Sequence, residues 1–390
     1  MKPQAEDDYV LRLLHTADWH LGRRFPSFAR EEVERKLTRA RLSVLERVFG
    51  LAERHAVHAV LCAGDLFDDP LPLPEWWEPL VEQLHKRRWQ DRPVFLLPGN
   101  HDPLLSDSIW ARGSKLRAAL PSWVHVIDQS PYERSLCDGA AVLYAVPCTS
   151  QAGQRDPTEQ IPKRAPGDER IRIGLVHGST FDMPDCQVNF PIARDAAIER
   201  GLDYLAIGDT HSFRFVPAER SEPPTLYPGT PEPTAFDEKD AGKVALVYIN
   251  RRRKVKVDAA PVATWVWEEQ HVSSLAALRQ LHARSDLDRR VLRLTVEMCL
   301  PAPEYEEAER LLDELEGNVA RHGRVGVLRL ERAGLTLETA SIERYCADLP
   351  DVLQVAVKRL RDEAATDDPK RAEIARRALF HLYHATRKAS

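Results

Sequence analysis

Short apolar runs, each closed by a polar turn, punctuate the first hundred residues: YVLRLLHTA at 9–17, AVLCAG at 59–64 and PVFLLPG at 93–99. Between them lie 31–55 and 75–90, where apolar positions recur at helical spacing. Strand and helix therefore alternate, the signature of an α/β domain. Further strands are expected at 123–128, 141–147, 171–176, 203–207, 225–227 and 243–257. That is more than one open sheet comfortably holds, so the expected fold class is α/β with two packed β-sheets flanked by helices. The polar, Pro- and Gly-rich stretch 150–170 is expected to be a surface loop.

After about residue 260 the pattern changes. A strand near 263–272, a helix near 273–284, a strand at 290–298, a long helix at 302–322 and a strand at 324–332 make a separate, smaller α+β unit. Glu304, Glu306 and Glu307 fall in the first turns of the long helix, where carboxylates suit the positive end of the helix dipole. From 339 onward the chain reads as helical. Its last stretch sets Ile374, Leu379, Leu382 and Tyr383 among Lys370, Arg371, Arg376, Arg377, Arg387 and Lys388. An amphipathic helix with a basic C-terminus and a surface that docks on DNA or a partner both fit this pattern. The expected domains are 1–258, 259–338 and 339–390.

Composition narrows the class without naming a function. The chain has 390 residues, and 55 Lys+Arg against 60 Asp+Glu leave a net charge of 55 − 60 = −5, so it is no polycation. With 43% hydrophobic residues it can bury a proper core, which excludes a disulfide-stapled miniature fold and a disordered chain. Cys62, Cys137, Cys148, Cys186, Cys299 and Cys346 form no CxxC pair and are expected to be buried hydrophobes in a reducing cytoplasm. The acidic N-terminus does not resemble a signal peptide, and no apolar run is long enough to span a membrane.

The chemistry sits in five polar boxes, each just after an expected strand: HTADWHLG, AGDLFDD, PGNHDP, GLVHGS and AIGDTH. Open α/β sheets build their sites at that edge. Asp18 and His20 are two apart in an extended turn, and Asp209 and His211 repeat the spacing, so each pair can converge on one ion. Asp65 follows Gly64, which frees the backbone to bring a carboxylate close. Asn100 and His177 add further donors, with His101 left over. A mixed carboxylate and imidazole set suits Mn, Fe or Zn rather than Ca. Taken singly, each residue has a structural explanation, as a hydrogen-bonded histidine or a turn aspartate. The ordered set favours two ions roughly 3.5–4 Å apart sharing a bridging carboxylate, the arrangement used for displacement at phosphorus.

This ordered set resembles the calcineurin-like metallophosphoesterases over roughly residues 10–235. DWHLG at 18–22, GDLFD at 64–68, GNHD at 99–102 and YPGT at 227–230 resemble in particular the DNA-nuclease branch typified by bacterial SbcD. They also resemble the stand-alone bacterial metallophosphoesterase endonucleases encoded with the helicase Lhr-Core. The resemblance implies an αββα metallophosphoesterase sandwich, with 259–338 where that branch carries a capping domain. It implies two divalent metals, manganese being the preferred ion. Asp18, His20 and His211 would hold the first, Asp65 would bridge, and Asn100, His177 and Asp209 would hold the second. The family usually has His where this chain has Asp209, so either an altered second metal or a non-ligating Asp209 follows.

The activity implied is Mn-dependent cleavage of single-stranded or structured DNA in repair, by in-line attack of a bridging hydroxide. His101 would assist the leaving group, with Asp102 as an orienting partner. Arg23 and Arg24 follow the first box and are candidates for substrate phosphate contacts, solvated surface arginines being the alternative. Trp76 and Trp77 suit either base stacking or core packing at a helix start. Implied partners are DNA, an SMC-like ATPase or a repair helicase or ligase, and a second copy of the chain. Two other classes stay open: a small-molecule phosphodiesterase or phosphatase of the same superfamily, and a scaffold subunit of an SMC-like ATPase complex.

Overall fold

The computed structural model describes residues 9–388 apart from 27, 29, 30, 88, 90, 181–187, 218–223, 319, 320, 339–349 and 367. Cys186, Cys346 and the start of the expected C-terminal helical segment lie outside the described residues. The chain forms two compact units, Met1–Val266 and Trp267–Ser390.

In chain order the first unit carries β1 (Tyr9–Thr16), α1 (Glu31–Arg54), β2 (Ala59–Cys62), α2 (Pro74–His85), β3 (Val94–Leu96), α3 (Lys115–Ala119), β4 (Val124–Val126), β5 (Tyr132–Leu136), β6 (Ala141–Val146) and β7 (Ile171–His177). It continues with α4 (Ala196–Glu199), β8 (Tyr204–Gly208), β9 (Arg214–Val216), β10 (Thr225–Tyr227), β11 (Lys243–Asn250) and β12 (Val255–Pro261). Two six-stranded sheets result, ordered β12-β11-β1-β2-β3-β4 and β5-β6-β7-β8-β10-β9. β1 to β4 run parallel, as do β6, β7, β8 and β10. The carboxyl ends within each parallel set therefore share one edge.

Side-chain alternation explains why the sheets stack. On β2, Ala59 and Leu61 join the cluster that both sheets share, while Val60 and Cys62 join the cluster beneath α1 and α2. On β6, Ala141, Leu143 and Ala145 enter the shared cluster, while Val142, Tyr144 and Val146 pack on the other face. Both faces being covered, these strands read as continuous apolar runs rather than alternating ones. On α1, Leu37, Ala40, Val44, Leu45, Val48 and Phe49 form the buried stripe.

Two expectations shift. The single strand expected over 243–257 is a hairpin, because Asn250 Oδ1 accepts from the backbone N–H of Arg252 at 2.9 Å and Lys254 at 3.0 Å, turning the chain between β11 and β12. Since β12 pairs with β11 through Pro261, the first unit runs past the expected boundary at 258 to Val266. Of the cysteines described, Cys62 and Cys148 are buried, Cys137 is half-buried and Cys299 is exposed, the last because it points outward on an alternating strand.

The second unit holds β13 (Val266–Val272), α5 (Leu275–Ala283), β14 (Arg290–Leu300), α6 (Ala302–Glu316), the short pair β15 (Gly317–Asn318) and β16 (Arg321–His322), and β17 (Val327–Leu337). It closes with α7 (Asp351–Ala364) and α8 (Pro369–Lys388). α6 stops short of the expected 322 at Gly317, whose φ of 72° suits a helix C-terminus. Leu292, Leu294, Leu312 and Leu379 share its core, whereas Ile374 is 68% exposed and not on the buried face expected of it. The segment expected to be a third domain groups with the α+β elements. Among the described residues, no helix is long and apolar enough to cross a membrane.

One polar link crosses the shared core. His15 is fully buried on the same face of β1 as Leu11 and Leu13, and its Nδ1 lies 2.8 Å from the hydroxyl of Tyr204 on the second sheet. Burial lowers its pKa to about 3. An unfolded histidine takes up a proton near pH 6.5, so this stability is fully present above pH 6.5 and is lost as pH falls towards 3. His15→Leu is therefore expected to flatten the acid limb of stability by up to about 1.4 kcal/mol per pH unit between those values, as one fewer proton is taken up on unfolding. Urea unfolding across pH 4–7 checks it, and an unchanged slope refutes it.

Candidate metal centre

Each polar box lies at the carboxyl end of its strand, and in the first, second and fifth, donor residues take a backbone conformation that few residues adopt. Asp18 (φ 54°), His20 (φ 42°), Asp65 (φ 53°) and Asp209 (φ 120°) all have positive φ. Strain of this kind costs of order 1–3 kcal/mol per residue and clusters at functional sites. It is held by backbone bonds between boxes: the N–H groups of Asp18 and His20 donate to the carbonyls of Gly64 and Asp65 at 3.1 and 2.9 Å. Gly64 (φ 94°) is required twice over, since a Cβ there would lie 2.2 Å from His177 Nδ1. In YPGT, Gly229 (φ 74°) passes His211 so closely that a Cβ would lie 2.6 Å from its carbonyl oxygen, to which Thr230 N–H donates at 2.9 Å.

These turns bring the donors together from both sheets. His20 Nε2 lies 3.0 Å from His211 Nε2 and 3.8 Å from Asp65 Oδ2. On the other side of Asp65, its Oδ2 is 3.4 Å from His177 Nε2, which is 2.7 Å from Asn100 Oδ1 and 3.8 Å from Asp209 Oδ1. Asp18 Oδ1 accepts from Asp209 N–H at 3.0 Å. Three donor sets converge within 4.8 Å: Asp18, His20 and His211; Asp18, Asp65 and His177; and His20, Asp65 and His101. Asp65 thus faces both halves of the cluster.

The charges suit a cation. Burial lowers the pKa of His20 to about 4 and so keeps it neutral, while its Nδ1–H donates to Asp68 Oδ1 at 3.0 Å. Its Nε2 therefore presents a bare lone pair. His211 is anchored likewise, Nδ1 to Glu238 Oε1 at 2.5 Å. Two imidazoles fixed in this way face each other at 3.0 Å, close enough to share either a proton carried by His211 or a metal ion. Burial opposes charge on His211 and His177, yet Glu238 in one case and Asp65 in the other raise both pKa values. Burial also pushes up the Asp18 carboxyl, against the pull of His211 and His177. The donor set, buried carboxylates and imidazoles with second-sphere carboxylates behind, fits divalent metal.

The catalytic and substrate candidates separate. His101 is 40% exposed at the rim, its backbone N–H donating to Asp65 Oδ1 at 2.9 Å and its Nδ1 3.8 Å from Asp68 Oδ1. Asp102 is fully buried and does not orient it. Its carboxylate accepts from the N–H groups of Gly99 at 2.8 Å and Phe67 at 3.0 Å, tying the second and third boxes together. The carboxylate beside His101 is Asp68 instead. Arg23 Nη1 donates to Asp68 Oδ1 at 3.2 Å, and Arg24 is exposed. Trp77 is buried in the core with Leu80 and Leu84, while Trp76 is half-buried. Sequence reading missed Glu238 and Arg41. The Arg41 guanidinium, 2% exposed, donates to the carbonyls of His20 at 3.2 Å, Glu232 at 2.7 Å and Trp19, clamping the first box.

Two sheets with convergent metal donors at their carboxyl ends fit a metallophosphoesterase. The chain belongs to the calcineurin-like phosphoesterases, a family that matches residues 11–213. It is 25% identical over 243 residues to the uncharacterized metallophosphoesterase YhaO of Bacillus subtilis, covering 61% of this chain and 57% of that one. It is 23% identical over 410 residues to the DNA double-strand break repair protein Mre11 of Methanopyrus kandleri, covering 93% of this chain and 85% of that one. With SbcD, a subunit of the SbcCD nuclease of Escherichia coli K12, it is 34% identical over 93 residues, 24% of this chain and 21% of that one. The chain thus spans only part of the first and third relatives and most of the second. Of these relatives, one is named as a DNA break repair protein and one as a nuclease subunit.

Asp68 and Glu238 should act through the histidines behind which they stand. Asp68→Ala and Glu238→Ala are each expected to weaken Mn²⁺ binding roughly ten- to a hundredfold. Calorimetric titration of metal-free protein checks this, and unchanged affinity in both variants would remove their anchoring role.

Proposed function

We propose that this chain is a two-metal phosphodiesterase that cuts DNA. The observation that carries the reading is Asp65, whose carboxylate faces His20 at 3.8 Å on one side and His177 at 3.4 Å on the other. Asp18, His20 and His211 would hold the first ion, Asn100, His177 and Asp209 the second, and Asp65 both. Oxygen and imidazole donors without a thiolate suit Mn²⁺, and Asp209 in place of the family's usual His makes the second half harder still. Two such ions supply Lewis acidity at the phosphate oxygens and acidify water. The chain supplies the rest. Asp68 and Glu238 fix the faces of His20 and His211, and Asp102 and Arg41 hold the boxes in register.

His101 stands at the open rim with its ring 4.8 Å from that of His20, where it can protonate a leaving oxygen. DNA as the substrate is supported by the relatives, one named as a DNA break repair protein and another as part of a nuclease. The latter name also supports a second protein component as part of the reading. A small phosphoester is the second reading, favoured by the partial coverage of YhaO and SbcD.

End-labelled linear and closed circular single-stranded DNA, offered to metal-free protein with Mn²⁺, Mg²⁺, Zn²⁺ or Co²⁺ in turn, test it. Mn²⁺-dependent cutting that is abolished in Asp65→Ala is expected, and a cut circle makes the enzyme an endonuclease. Hydrolysis of a bis-aryl phosphodiester with neither DNA cut favours the small substrate. His101→Ala is expected to lower turnover roughly 10²–10⁴-fold while retaining its metal. Metal content falling with activity would instead make His101 a ligand.

A further inference from the structure

α2 presents two adjacent tryptophans that go separate ways. Trp77 takes the buried stripe with Leu80 and Leu84, and Trp76, one residue round the helix, stays half-buried. Its indole forms one wall of a cleft of about 360 Å³, with Arg23, Arg24, Arg35 and Arg39 around it and Glu31 and Glu34 as the acidic members. Glu31 is paired with Arg35 at 3.3 Å. Arg24 and Arg39 are exposed, and their side chains have no hydrogen-bond or ion-pair partner among the described residues. Unpaired guanidinium groups beside an aromatic wall suit a ligand that has both phosphate and a flat ring.

The cleft borders the metal centre through a short chain of contacts. Arg23 Nη1 lies 3.2 Å from Asp68 Oδ1, and that same oxygen lies 3.0 Å from Nδ1 of His20. The other side is fixed by Gly22. A Cβ at Gly22 would come within 3.2 Å of Trp76 Cδ1, so the box that carries Asp18 and His20 passes directly against the indole. A strand whose phosphodiester lies at the metal donors therefore has a neighbouring nucleotide within reach of the cleft.

We propose that this cleft holds an unpaired nucleotide flanking the scissile phosphodiester, its base stacked on Trp76 and its phosphates met by Arg24 and Arg39. The assignment rests on the nuclease reading above and adds to it the residues that would grip the strand beside the metal donors; the nucleotide is unpaired, because a base held in a duplex has its faces covered by its neighbours. Stacking on an aromatic side chain is tolerant of sequence, so it selects for unpaired bases rather than for particular ones.

The test separates binding from cutting. Anisotropy of a labelled oligothymidylate and of an abasic strand of equal length is measured on the full chain with chelator present, and cleavage of the same strands is measured with Mn²⁺. Wild type is expected to bind the base-bearing strand roughly tenfold more tightly, Trp76→Ala to lose that preference, and Trp76→Phe to keep part of it. Arg24→Ala and Arg39→Ala should each lower the salt dependence of binding by about 0.7 in log–log slope while leaving the preference for bases. Equal binding of the two strands by wild type, or a base preference that survives in Trp76→Ala, overturns the proposal. So does a Trp76→Ala variant whose bis-aryl diester hydrolysis falls in step with its DNA cleavage, since Trp76 would then merely support the Gly22 turn. Base-dependent binding without cutting would refute the nuclease reading and leave the cleft, whereas Mn²⁺-dependent cutting without base preference would do the reverse.

Discussion

Where β2 and β7 reach the same edge, Nδ1 of His177 lies 2.8 Å from the carbonyl oxygen of Ala63, and the two sheets come as near to one another as backbone allows. A Cβ on Gly64 would strike that imidazole, and one on Gly208 would lie 2.0 Å from the Ala63 oxygen. The site depends on this approach. Asp65 leaves the first sheet two residues after Ala63, His177 ends β7 of the second, and only because glycines let the strand ends close can one carboxylate face donors from both. The large shared core of Leu11, Leu13, Leu61, Leu143, Ile173 and Leu175 supplies the force that holds the sheets together, and the glycines set how close they come.

That closeness carries an electrostatic cost. Asp18 and Asp65 are almost wholly buried within reach of one another, and burying like charges is strongly unfavourable unless they are paired. His177 and His211 answer part of this, which is why both are pulled towards the charged form despite burial. Asp102 adds a third buried acid nearby, and its carboxyl is pushed well up by burial and then by Asp65. Such an arrangement is poor stabilising design and sensible cation-binding design. The fold tolerates it because neutral backbone groups, the N–H donors of Gly99, Phe67, His101 and Asp209, solvate the carboxylates from behind.

How much of this was legible follows from where information sits along the chain. Asp18, His20, Asp65, Asn100, His177, Asp209 and His211 stood out because each follows an apolar strand, and parallel strands deliver their ends to one edge whatever their loops do. Glu238 carried no such signal. It lies in a loop after β10, and only the tertiary position of His211 gives it a role. Arg41 is one arginine among many on a charged helix, distinguished solely by pointing inward. Asp102 was misjudged because adjacency to His101 in sequence suggested a pair, whereas successive residues of an extended turn point in different directions. Asp68, in the same motif as Asp65, met His101 through space instead. The hairpin at Asn250 was hidden inside a run that reads as one strand, since its turn is made by one side chain accepting two backbone bonds rather than by glycine or proline.

The two halves of the cluster are not equivalent. His20 and His211 each rest an imidazole Nδ1 on a carboxylate, Asp68 and Glu238, and a carboxylate behind the ring raises the basicity of the nitrogen in front. His177 rests on the neutral carbonyl of Ala63, which orients the ring with less electronic push. Asn100 is a neutral amide, and Asp209 is already committed through Oδ2 to the hydroxyl of Ser179 at 2.5 Å. A carboxylate at 209 partly compensates, since it brings formal charge to the half whose histidine is the weaker donor. Its backbone at φ 120° and its N–H bond to Asp18 show what fixes it: the residue after Gly208 must first tie the two sheets together, and only its remaining oxygen, 3.8 Å from His177 Nε2, faces the cluster. Position 209 therefore does a structural task in its backbone and an electrostatic one in its side chain.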